Sequence, residues 1–273
     1  MAAGDEQDLT RKQRREQARE QRRELEQAQA ASAVRRTRLT QLGIVAVIVV
    51  AIIVAVVLAT GGSKKHGIVK PGAEVTALVN EINTLIGGIP QSGGTLGSPT
   101  APVTLQYFGD LECPICREFT EGALKPLIET EVRPGRLRIE YRSLQTATPE
   151  AETFKTQQVA ALAAGKQQKA WYYIELFYHQ QGEEKTGYVT ESFLQGIAQQ
   201  VPGLNLSKWA ADRGNAELGD EVSADQQTAN SFGFTGTPSF AMGRTGTPPK
   251  KFEAGSFTNP ASFESAIESL IKK

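Results

Sequence analysis

Cys113 and Cys116 are the whole thiol content of the 273-residue chain, with only Pro114 and Ile115 between them. That spacing admits three chemistries. Two thiols this close can trade electrons by making and breaking a disulfide, can supply part of a zinc site of about four ligands, or can close a local staple. Zinc would need further ligands, and His66 and His179, the two histidines of the chain, have no paired spacing. No metal and no cofactor are therefore expected. A staple across so short a loop restricts the unfolded chain little. Redox exchange is the strongest reading: one sulfur attacks, and the other resolves the mixed disulfide that results.

The elements around the pair say which sulfur takes which part. The stretch "VTLQYF", residues 103–108, is β-branched and aromatic and lies between Pro102 and Gly109, so it reads as a strand. After the cysteines, Phe119, Ala123, Leu124, Leu127 and Ile128 share one helical face with Cys116, and Pro126 predicts a kink. "RLRIEY", residues 136–141, is a second strand, which completes a βαβ unit. Cys113 then falls at a helix N-terminus, where unpaired N–H groups and the helix dipole favour a thiolate. It is the expected attacking residue, and Cys116, one turn later on the apolar face, the resolving one.

Upstream, Val75, Leu78, Val79, Ile82, Leu85 and Ile86 recur at helical spacing before Gly87, and room remains for a brief edge strand near Ile89. Downstream, residues of about 149–232 turn helical. Breaks fall near Gly165 and Gly182, Thr190 is an N-cap, and a further helix from near Leu206 is interrupted between Gly214 and Gly219. Strands resume at "PSFAMG" and "KFEAG", a hairpin, and Asn259 with Pro260 opens a last helix. The chain is thus an α/β protein with a helical block inserted between two halves of one sheet.

Residues 42–59 contain neither a charge nor a hydroxyl, and the charge-free stretch spans 39–63. It is long enough for a transmembrane helix. A cleavable signal peptide is the competing reading, but the arm before it, 1–38, is far longer than a usual n-region. That arm carries net charge +3 and the segment from Gly61 onward net −3. Arg35, Arg36 and Arg38 before the span outweigh Lys64 and Lys65 after it, which predicts a cytoplasmic N-terminus and a domain outside the cytoplasm. There disulfides persist. Residues 64–72 read as a tether to the domain at 73–273, which has no basic field for a nucleic-acid partner.

The segments "GSPTAPVTLQYFGDLECPICREF", "RLRIEYRSL" and "FGFTGTPSFAMG", together with the helical block, resemble the DsbA-type thiol-disulfide oxidoreductases. The resemblance implies a thioredoxin-like fold with an inserted helical domain and protein substrates carrying thiols or disulfides. It also implies a cis-proline facing the cysteines. "TGTP" occurs twice, and Pro238 precedes an apolar strand whereas Pro248 precedes Pro249 and two lysines, so Thr237 and Pro238 are the expected substrate-binding pair. Ile115 stands where a strongly oxidising member often has histidine. A higher Cys113 pKa and a more reducing potential are expected than in a Cys-Pro-His-Cys protein, with Glu112 pushing the same way if its charge is close. The function expected is extracytoplasmic disulfide exchange, with oxidation the favoured direction and a membrane redox partner to restore the pair. A reductase, an isomerase or a non-enzymatic peptide-binding module with a structural disulfide are the alternatives.

Overall fold

The structure, a computed structural model, describes residues 72–272. The charged arm 1–38, the predicted membrane span 39–63 and residues 64–71 of the tether lie outside the described residues. Among the described residues, no helix is long and apolar enough to cross a membrane.

Helix α1 (Ala73–Ile86) buries Val75, Ile82, Leu85 and Ile86, as their spacing predicts. In place of one edge strand near Ile89 there is a small hairpin, β1 (Gln91–Ser92) and β2 (Thr95–Leu96), turning at Gly93 with φ of 54°. The positive φ suits glycine and keeps both strands short. Strand β3 (Val103–Gly109) runs into the cysteine turn, and β4 (Leu137–Ser143) alternates buried and half-buried residues along its length. The two are parallel, with Val103 opposite Leu137 and Gly109 opposite Ser143.

The helix between them differs from expectation. It begins as α2 (Pro114–Phe119) but widens into π-type turns at Thr120–Leu124 and Ile128–Val132, on either side of a short α3 (Lys125–Leu127) that contains Pro126. Proline has no N–H to give to the helical ladder, and wide turns are one way a helix absorbs the loss. The wide turn also lets Ala123 N–H donate to Phe257 O at 3.0 Å, tying the helix to the loop before the last helix.

Five helices follow β4. They are α4 (Ala151–Gly165), α5 (Ala170–His179), α6 (Glu191–Gln200), α7 (Leu206–Asp212) and α8 (Ala216–Ser231). The sequence AWYYIELFY of α5 is buried almost all round, as befits a central helix. Thr190 caps α6 by accepting from Phe193 N–H at 3.2 Å, and Asn205 and Asn215 cap the next two helices, so the run from Leu206 breaks at Gly214. Strands β5 (Ser239–Arg244) and β6 (Lys250–Phe252) form the expected hairpin, and α9 (Ala261–Lys272) buries Phe263 and Ile267.

The sheet order is β1-β2-β4-β3-β5-β6, with β5 antiparallel to β3. Strand β3 is therefore held on both sides, which fixes the end from which the cysteines emerge. One face of the sheet carries Tyr107, Phe119, Phe240 and Phe263 in edge-to-face contact, with centroids 4.9–5.0 Å apart between Tyr107 and Phe119, Phe119 and Phe240, and Phe240 and Phe263. Such pairs each add roughly 1 kcal/mol beyond their buried area. The opposite face carries a smaller cluster of Phe108, Leu144, Ala229, Phe234 and Ala241.

Candidate active site

Cys113 is the N-cap of α2 and Pro114 its first residue, a position where the missing proline N–H costs nothing. Both cysteines are free thiols. Cys113 is 5% exposed and Cys116 fully buried.

Their proton affinities diverge. The Cys113 thiol is pushed down to about 6, chiefly because the Cys116 thiol can donate to its sulfur. Burial opposes this, and the Thr237 hydroxyl and the N–H groups of Cys116 and Ile115 assist it. Burial pushes the Cys116 thiol well above the ordinary range, and the charge of Cys113 pushes it further. A pKa of about 6 lies above the ~3.5 of the most oxidising DsbA proteins and below an ordinary thiol.

The second "TGTP" stays in the β5–β6 hairpin loop, while the first comes to the cysteines. The Thr237–Pro238 peptide is cis. The Cys113 thiol donates to Thr237 O at 3.4 Å across 124 residues of sequence. All four residues singled out in the sequence therefore meet at one place. His179 does not join them: it sits half-buried on α5, its ring nitrogens each 3.8 Å from a carboxylate oxygen, of Glu121 and of Glu175.

Three groups escaped sequence reasoning. Asp110 is fully buried and its Oδ2 accepts from the backbone N–H groups of Thr146, Ala147 and Thr148, each at 2.9 Å. Its Oδ1 accepts from the Thr148 hydroxyl at 2.6 Å and from Glu112 N–H at 3.0 Å. Gln181, just past α5, donates its Nε2 to Leu111 O at 2.8 Å and Cys113 O at 3.1 Å. The Thr146 and Thr237 hydroxyls lie 2.5 Å apart. The signal for Asp110 was an acid in an otherwise apolar strand end; Gln181 and Thr146 lie in loops with no pattern to mark them.

Glu112 also differs from expectation. Its carboxyl is pushed up to about 7, first by burial and then by the neighbouring Asp110. Around neutral pH much of the charge expected beside Cys113 is therefore absent.

The sequence profile of the family described as thioredoxin matches residues 91–256. The chain belongs to the thioredoxin family. It is 24% identical over 184 residues to a Bacillus cereus protein named "Probable disulfide bond formation protein D", an alignment covering 66% of this chain and 79% of that one. A Bacillus anthracis protein of the same name is 23% identical over 188 residues, covering 66% and 78%. In three dimensions the chain is similar to oxidised BdbD from Bacillus subtilis, with TM-score 0.56 and 17% identity over 69% of this chain and 99% of that one. It is also similar to α-DsbA1 from Wolbachia pipientis, with TM-score 0.54 and 18% identity over 66% and 90%. The resemblance to DsbA-type proteins, with a helical block set into a thioredoxin-like fold, is borne out.

Proposed function

We propose that this thioredoxin-family domain is a protein thiol-disulfide oxidoreductase that works outside the cytoplasm, chiefly as a disulfide oxidase. The observation that carries the reading is the opposed proton affinity of the two sulfurs. In the oxidised enzyme a substrate thiolate attacks Cys113 Sγ, the Cys113–Cys116 bond breaks, and Cys116 leaves as a sulfur that readily takes up a proton. A second substrate thiolate then attacks the substrate sulfur of the mixed disulfide and expels Cys113. Two substrate thiols are oxidised and the enzyme gains two electrons. A low pKa makes Cys113 the better leaving group in the second step, which favours oxidation over reduction.

Extended substrate would pair with the backbone at Thr237 and Pro238. Beside Pro238 lies an open recess lined partly by Phe234, Phe252 and Phe257, suited to a substrate side chain. Continued turnover needs a membrane partner that accepts the two electrons. The charge-free stretch 39–63 and the arginines before it support a single-pass anchor with the N-terminus in the cytoplasm.

The test is the full chain carrying Cys116→Ser, expressed in its own cells. Cys113 should be caught in mixed disulfides with exported proteins, and those proteins should carry more free thiols when the gene is deleted. Captured proteins that become more oxidised on deletion would show a reductase. Absence of any mixed disulfide, with Cys113 slow to alkylate, would leave a peptide-binding module.

A further inference from the structure

The segment after β4 touches the cysteine site at one side chain that neither the βαβ pattern nor the proposed exchange employs. Thr146 is exposed, and its Oγ1 lies 2.5 Å from Thr237 Oγ1. Either hydroxyl can be the donor in that contact. Thr237 in turn meets the nucleophile through its carbonyl, which accepts the Cys113 thiol proton at 3.4 Å, and the hydroxyl of the same residue is among the groups that favour a thiolate there.

Thr146 is not free to drift from this position. Its backbone N–H and those of Ala147 and Thr148 converge on Asp110 Oδ2, while Asp110 Oδ1 holds the N–H of Glu112, the residue before Cys113. The next strut back is Gln145 N–H, which donates to Gln226 Oε1 at 3.1 Å. One buried carboxylate thus sets the distance between the 146–148 loop and the cysteine turn.

The hydrogens can be assigned by charge state. While Cys113 is a thiol it donates to Thr237 O, and the Thr237 hydroxyl can donate to Thr146. A thiolate donates nothing and needs donors. Beside the Cys116 thiol and the N–H groups of Cys116 and Ile115, the Thr237 hydroxyl can then turn its proton to sulfur, which leaves its oxygen to accept from Thr146. We propose that Thr146 is a positioning residue for the Cys113 sulfur: its hydroxyl donates to Thr237 Oγ1 when Cys113 is charged, so that the Thr237 proton is aimed at the thiolate. This rests on Cys113 being the attacking residue.

The experiment titrates the reduced full chain by thiolate absorbance near 240 nm, in wild type, Thr146→Val, Thr146→Ser, Thr237→Val and the double Val variant. Cys116 is the titratable side chain that faces Cys113. Asp110 and Glu112 belong to the cysteine turn itself, Glu184 and Tyr188 interact with Glu112, and Tyr107, Tyr141 and Tyr178 interact with Cys116. All are kept in every variant. Thr146→Val should lower the Cys113 thiolate-to-thiol ratio at pH 6 roughly two- to threefold, the scale of one partly exposed hydrogen bond. Thr146→Ser should restore it, and Thr146→Val should add nothing once Thr237 is Val. Thr146→Val titrating like wild type, a serine that fails to restore, or an undiminished shift in the Thr237→Val background overturns the proposal. Thr146→Ala, read the same way, serves if the valine perturbs folding. A wild type with no thiolate at neutral pH would instead overturn Cys113 as the attacking residue.

Discussion

Cys113 at the start of α2 and Glu175 in the middle of α5 are both buried, at 5% and 1% exposure, and they answer burial in opposite ways. Removal from water disfavours the charged form of each. At Cys113 the Cys116 thiol, the Thr237 hydroxyl and two helix N–H groups outweigh burial, and the pKa falls to about 6. At Glu175 burial wins, and the repulsion of Glu121 and Glu81 exceeds the help of Lys125, so the pKa rises to about 8. Its Oε1 has no hydrogen-bond partner and its Oε2 is 3.8 Å from His179 Nε2. A helix N-terminus offers unused donors; mid-helix the backbone has none to spare. Burial sets the size of the cost, and the supply of donors sets its sign.

Asp110 is the limiting case of a buried group with donors, and removing it tests the comparison hardest. Asp110→Ala strands three backbone N–H groups of the 146–148 loop, and we expect a loss of roughly 3–5 kcal/mol in urea unfolding of the reduced protein. A loss below about 1 kcal/mol would mean that water replaces the carboxylate readily. Glu175 should behave in the opposite sense. Its folded pKa of about 8 stands above the ordinary 4.5, so its contribution is whole below pH 4.5 and drains away as pH rises to about 8. Glu175→Gln should therefore gain stability relative to wild type across that window, on the order of 3 kcal/mol. Parallel stability curves for the two proteins against pH would contradict a neutral Glu175.

The two groups differ as much in legibility as in physics. The sulfur pair, its place after a strand and the choice of Pro238 over Pro248 were readable because each depends on local spacing and on apolar pattern. Phe119, Ala123, Leu124, Leu127 and Ile128 all proved buried on the face that carries Cys116. What could not be read depends on approach between distant segments. Asp110 and Thr148 are 38 residues apart and Thr146 and Thr237 are 91 apart, and polar residues in loops carry no periodicity to announce a partner. Glu112 was visible but its charge was not, because the burial that chiefly pushes its carboxyl up belongs to the fold and not to its neighbours in sequence. The wide turns flanking Pro126 were hidden for a related reason: a proline signals a disturbed helix without saying whether it bends or widens.

Cys113 itself gives a smaller effect with the opposite slope. Its folded pKa is depressed from 9 to about 6, so the stabilisation is full above pH 9 and vanishes as pH falls through 6. At pH 7 the reduced wild type should exceed reduced Cys113→Ala by about 1 kcal/mol more than it does at pH 5, with allowance for partial solvent contact of the sulfur. Equal differences at the two pH values would mean that the thiolate is not favoured by folding, and the low leaving-group pKa behind the oxidase reading would go with it.

The smallest effect separates surface pairing from buried charge. Lys125 and Glu81 form a 2.8 Å ion pair with both side chains about half exposed, and such pairs contribute little. Glu81→Gln should change stability at neutral pH by less than about 0.5 kcal/mol. Yet Glu81 repels Glu175 and occupies Lys125, which otherwise favours the Glu175 carboxylate. Removing one charge therefore relieves Glu175 by two routes of the same sign, and the pH at which its destabilising slope ends should move down. If the neutral-pH stability drops substantially and that endpoint stays fixed, the pair matters for holding α1 to α3, and the proton on Glu175 is set by burial alone.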